Sequence, residues 1–212
     1  MKNVLILILL FTSTYSMAQY FEAELLMANG ETMTGFAKLP SNGVLDTNVE
    51  FKKTNKGKVQ KLAHDDLSQI IYTSKTGSQY LFERNSAVHL FKSFGKVYEK
   101  EKVNKHWMLL IHRNASLNQY SLAQRYRLDK KGRMTSITGG NSFWGTIYFL
   151  FKRSSEDKAY IVSGKGFTNG MVRKAMAIYF EDLPEFVARI NNKEFKKSSV
   201  NEVADAYDSY FD

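Results

Sequence analysis

The sequence predicts an α+β fold: an antiparallel β-rich body, either a small barrel or a sandwich, followed by C-terminal helices. Three observations carry this expectation. From Tyr20 onward, short alternating segments recur about every ten residues between turns rich in glycine, asparagine and lysine. After Gly170 the apolar spacing changes from the period of a strand to that of a helix. No linker rich in proline, glycine or serine divides the chain, and no internal repeat occurs. Residues 19–212 are therefore expected to form one domain, β-rich over 20–163 and helical over 168–211.

The N-terminus reads as an export signal over residues 1–18. Lys2 supplies the positive start, and Val4 to Phe11 is an unbroken apolar run. Ser16-Met17-Ala18 then places small side chains at the −3 and −1 positions of a cleavage site. The apolar run is far short of the roughly 20 residues that span a bilayer. The expected cut follows Ala18, and the expected address is periplasmic or secreted. No transmembrane segment is expected in the mature chain.

The strands follow in order. Phe21 to Met27 and Thr32 to Leu39 flank Asn29-Gly30, the dipeptide that reaches positive φ most cheaply, so they form a hairpin. Val49-Glu50-Phe51 and Val59 to Leu62 flank the turn Asn55 to Lys58. Ile70-Ile71-Tyr72 and Tyr80-Leu81-Phe82 flank Lys75 to Ser78. This order is similar to that of small SH3-like or Sm-like barrels, a likeness of fold that carries no function. Val88 to Phe94 is a further strand, and Lys96 to Lys105 reads as an exposed charged segment. Trp107 to Leu122 reads as a hairpin, and Arg125 to Asn141 as a mobile loop rich in charge and glycine. Tyr148 to Phe151 and Tyr160 to Val162 complete the strands.

The helical part starts with Met171, Ala175, Ile178 and Tyr179 at helical spacing. Asp182 with Glu185 reads as a capping box, and Pro184 suits a first turn. Ser199 with Glu202 reads as a second box ahead of the stripe Val200, Val203, Ala204 and Tyr207.

The chain has no cysteine, which excludes a disulfide scaffold, a thiol nucleophile, a thiolate metal site and a lipid anchor on cysteine. Its formal charge of +9 favours anionic partners, but the lysines are scattered, with short clusters only at Lys52-Lys53, Lys130-Lys131 and Lys196-Lys197.

Several short segments resemble uncharacterised exported proteins of Bacteroidota. They are Met17-Ala18-Gln19, Gly30 to Phe36, the hairpin from Trp107 to Tyr120, Ile147 to Leu150, and Tyr179 to Pro184. The resemblance implies an envelope or secreted address and brings no activity with it.

The densest polar cluster is His64-Asp65-Asp66, since a histidine–carboxylate pair can act as an acid–base couple. Its position just before a strand is also where aspartates commonly make side-chain-to-backbone turns, and that reading is the preferred one. His106 and His112 flank one strand, and six residues of strand hold them about 20 Å apart, too far to share a metal ion. Gly140 to Gly145 has one residue too many for a serine nucleophile elbow, and Gly164-Lys165-Gly166 lacks the spacing of a phosphate loop. No cofactor and no metal are expected.

The polar residues do not converge on a catalytic motif. The expected function is therefore a non-enzymatic binding or structural module of the cell envelope, its partner an envelope protein or glycan. A hydrolase acting on an envelope polymer through His64, Asp65 and Asp66 is one alternative. A basic binder of anionic surfaces or nucleic acid is the other. No RNA-binding signature is present, so nucleic acid is not the expected ligand.

Overall fold

The computed structural model describes residues 19–102, 104–138, 146–195 and 200–210. The chain is α+β, a large, mainly antiparallel sheet followed by helices. The expected first hairpin is present as β1 (Phe21–Met27) and β2 (Thr32–Ala37). It is extended on one side by β3 (Asn48–Lys52) and β4 (Gln60–Ala63), and on the other by β5 (Leu67–Thr73). β2 approaches β3 so closely that a Cβ on Gly35 would lie 2.6 Å from the Phe51 ring, a contact only glycine avoids.

The segments Tyr80–Phe82 and Val88–Phe94 prove to be parts of one long strand, β6 (Gln79–Ser93). The polar run Glu83-Arg84-Asn85-Ser86 between them is not a break, because each of these residues pairs with a neighbouring strand. β6 has partners on both edges: β5 and β8 (His106–His112) near its start, and β7 (Lys96–Glu101) and β13 (Lys158–Gly164) near its end. Lys96–Glu101 is charged and largely exposed, as expected, but it is a strand, β7, in a regular ladder with β6.

A ring of strands closes through β6. β8 pairs with β9 (Leu117–Leu122), β9 with β12 (Tyr148–Arg153), β12 with β13, and β13 returns to β6 in a short parallel contact, Lys158–Tyr160 beside Ser86–Val88. Its interior is filled by Ala87, Met108, Tyr120, Leu122, Leu150, Ala159 and Ile161. Every strand of the ring contributes to that cluster, so of the two expected architectures this half is a barrel.

Along β8, Met108 points into the ring while Trp107 and Leu109 point into a second core, shared with β1, β2, β3 and β5. This two-sided burial explains the continuous apolar run at Trp107 to Leu110. The stretch expected to be a mobile loop forms a hairpin instead, β10 (Arg125–Leu128) with β11 (Met134–Ile137). Asp129 organises its turn by accepting from the amides of Lys131 and Arg133, and Tyr126 is buried in the second core.

The helices are α1 (Asn169–Tyr179), α2 (Pro184–Asn191) and α3 (Val200–Asp208). Among the described residues none is long and apolar enough to cross a membrane. They pack on the outer face of the ring, where Leu117, Phe151 and Val162 meet Phe180, Phe186 and Tyr207. Pro184 occupies the first turn of α2 as expected, but Asp182 does not cap it. The Asp182 carboxylate accepts two hydrogen bonds from Arg153 at the end of β12, at 2.7 and 2.8 Å, which outcompetes capping. The Arg153 guanidinium also lies against Tyr179, Phe180 and Tyr207. α3 is tied to the β8–β9 turn: Asp208 accepts from the amides of Ala115 and Ser116, and Asp205 from His112 and Asn114. Ser199, the expected partner of Glu202, lies outside the described residues, as do residues 1–18, Lys196-Lys197 and the segment 139–145.

Candidate functional site

The turn after β4 places the strongest sequence candidates at a cleft. His64 to Asp66 form a single 3-10 turn, and the cleft is completed by the β2–β3 loop, Arg84 of β6, and Lys105 and His106 at the start of β8. Its volume is about 230 Å³.

His64 is buried at its floor, edge-on to the Trp107 indole with ring centres 5.8 Å apart. Its amide donates to the Thr47 carbonyl at 2.9 Å, which fixes the turn against the loop. Nε2 finds no hydrogen-bond partner among the described residues. Burial, followed by the Arg84 charge, lowers the His64 pKa, so the ring is neutral at physiological pH. His106 is buried too, and desolvation with the charges of Lys102 and Arg84 takes its pKa down to about 4.

Asp65 lies on the rim, where it binds Arg84 at 2.6 Å. That pairing takes the carboxylate away from His64. Asp46 accepts from the Ser41 hydroxyl. Asn42 spends its side chain on backbone: Nδ2 donates to the carbonyls of Trp107 and Ala123, and Oδ1 accepts from the Trp107 amide. The structure thus brings His64 and Asp65 to one cleft and leaves Asp66 outside it. Asp66 is exposed, and its carbonyl closes the sheet by accepting from the Ala28 amide at 2.8 Å.

Arg84, His106 and Asn42 join the cleft without any local signal in the sequence. The fold brings them there by strand pairing over long separations. A bulge between Leu110 and His112 breaks the alternation of β8, and the two histidines serve different places. His106 faces the cleft, and His112 reaches Asp205 of α3 at 2.7 Å.

Chemically, the cleft offers two neutral imidazoles, one guanidinium already matched by a carboxylate, and a rim lysine. Among the described residues no group of three His, Asp or Glu side chains is placed to hold a metal ion. At the turn Gly164-Lys165-Gly166 the Lys165 amide donates to the Ile147 carbonyl, and the next amide, of Phe167, donates to the Gly164 carbonyl. The segment Gly140 to Gly145 lies outside the described residues. No protein family, curated protein or solved structure matches this chain.

Proposed function

We propose that the chain is an exported binding or structural module of the cell envelope rather than an enzyme, and that its partner is an envelope component. The observation that carries this reading is how the polar groups around His64 are spent. Asn42 holds backbone, Asp65 holds Arg84 and Asp46 holds Ser41, so neither carboxylate orients His64 as an acid–base couple. The export address rests on Lys2, the apolar run Val4 to Phe11 and the exit Ser16-Met17-Ala18. A cut after Ala18 leaves all the described strands and helices intact, since β1 begins at Phe21.

The test is capture of envelope material by the chain from Gln19 onward, at low and high salt, with cell fractionation alongside. A retained envelope component and recovery outside the cytoplasm are the expected results. Cytoplasmic residence, or hydrolysis of envelope polymer that is lost in His64→Asn, overturns the reading.

The second of these outcomes belongs to a hydrolase centred on His64. One observation favours that reading: the unpartnered Nε2 in a cleft with a histidine and an arginine beside it.

A further inference from the structure

The turn joining β6 to β7 is two residues long, Phe94-Gly95, and both have positive φ, +48° and +75°. A turn of this kind selects asparagine then glycine. A bulky residue at its first position is strained there. Phe94 is also 100% exposed, so no burial offsets that strain. Strained and fully exposed at once, this ring adds no burial to the fold.

The strands behind the turn have two different faces. Alternation puts Lys96, Tyr98 and Lys100 on one face of β7, opposite Ser93, Phe91 and His89 of β6. Phe91 and Tyr98 stack with ring centres 5.5 Å apart, yet remain 46% and 42% exposed. The acids of β7, Glu99 and Glu101, point the other way, toward Lys158 at 3.5 and 3.1 Å. That second face turns toward the helices, where Lys92 meets Glu181 and Leu90 packs on their core. The outward face of this hairpin is therefore aromatic and cationic, with no carboxylate on it.

We infer that the β6–β7 hairpin docks on an anionic bilayer surface, with Phe94 below the headgroups, Lys96 among their phosphates and Lys100 behind the aromatic pair, at the outer edge of the surface. The order of groups along the hairpin matches the layers of such a surface. At about 3.3 Å per residue, the Phe91–Tyr98 pair lies about 10 Å behind the tip, the depth to which interfacial anchors enter. Lys96 falls between tip and pair, at headgroup level, and each lysine there adds attraction to anionic lipid. The formal charge, +9 for the full chain and +8 once Lys2 is removed with residues 1–18, draws the whole molecule toward the same surface. A nucleic-acid platform needs aromatics along a groove, whereas this aromatic ring leads at a convex tip. The inference deepens the binding-module reading and rests on it only for the address where such a surface is met.

The experiment is co-sedimentation of the chain from Gln19 onward with vesicles of phosphatidylcholine alone, or with about a third phosphatidylglycerol. Binding is expected only to the anionic vesicles, and is expected to weaken with added salt. Phe94→Asn keeps the turn, so its melting temperature should equal or exceed that of the parent, while vesicle partitioning falls about tenfold. Lys96→Glu with Lys100→Glu should abolish binding. Absence of sedimentation, equal binding to neutral vesicles, or unchanged binding by Phe94→Asn overturns the inference. So does capture of single-stranded nucleic acid through the same residues in place of vesicles. If the vesicles fail while envelope material is still retained by Phe94→Asn, the hairpin assignment falls and the module reading stands.

Discussion

Asn42 stands in for a strand beside Trp107. Its side-chain amide donates to the Trp107 carbonyl at 2.9 Å and accepts from the Trp107 amide at 2.8 Å, the two bonds a neighbouring strand residue would make. Both partners are buried. Asn42→Ala strands these backbone groups and should cost about 3 kcal/mol, read as a lower urea midpoint with an unchanged slope. Asn42→Asp keeps the shape but sets a carboxylate against two carbonyls, and should cost at least as much.

Acid should weaken the fold before the carboxylates titrate. His106 titrates near 4 in the folded chain against an ordinary value of 6.5, so the unfolded chain binds the extra proton between these values. The stability is present above pH 6.5 and is lost as pH falls toward 4. For His106 alone the loss is about 3 kcal/mol. His64 and His89, lowered by burial first, act in the same direction. Denaturation midpoints between pH 7.5 and 4 (roughly the histidine range) should fall steadily, and His106→Gln should flatten the slope.

Arg153 joins the ring to the helices through a fork to Asp182 and a stack on three aromatic rings. Lysine keeps the charge but loses fork and stack, so Arg153→Lys should cost about 2 kcal/mol. Asp182→Ala, at a more exposed position, should cost about 1 kcal/mol or less. A double-mutant cycle should show coupling between the two positions, since they share one contact.

Much of this architecture was legible locally. Phe21 to Met27 alternates, Asn29-Gly30 turns, and the period changes at Gly170, so the order of body and helices follows from short windows. What was hidden has physical reasons. β7 carries charge on both faces because it covers no core, so it lacks the apolar stripe that marks a strand. β10 and β11 are four residues each, too short for a period to register. At the cleft, His64 and Asp65 were visible as a dense polar run. Arg84, His106 and Asn42 were not, because register alone brings them together, with Asn42 and Trp107 separated by 65 positions.

The α3 anchor should be local. Asp208→Ala removes the acceptor for the Ala115 and Ser116 amides and should cost about 1 kcal/mol. Hydrogen exchange should speed up at those two amides and through α3, while the interior strands of the ring keep their protection.

The contact between Lys158–Tyr160 and Ser86–Val88 also has a meaning in time. A chain that enters a narrow conduit by its N-terminus can build hairpins as it emerges, since their partners are neighbours. It cannot seal the barrel, because the sealing strand comes late in the polypeptide and the loop to be closed is long. Until most of its length has passed, such a chain stays open and can still be drawn through. For any chain translocated in this way, the locking step comes only after the sealing strand has passed.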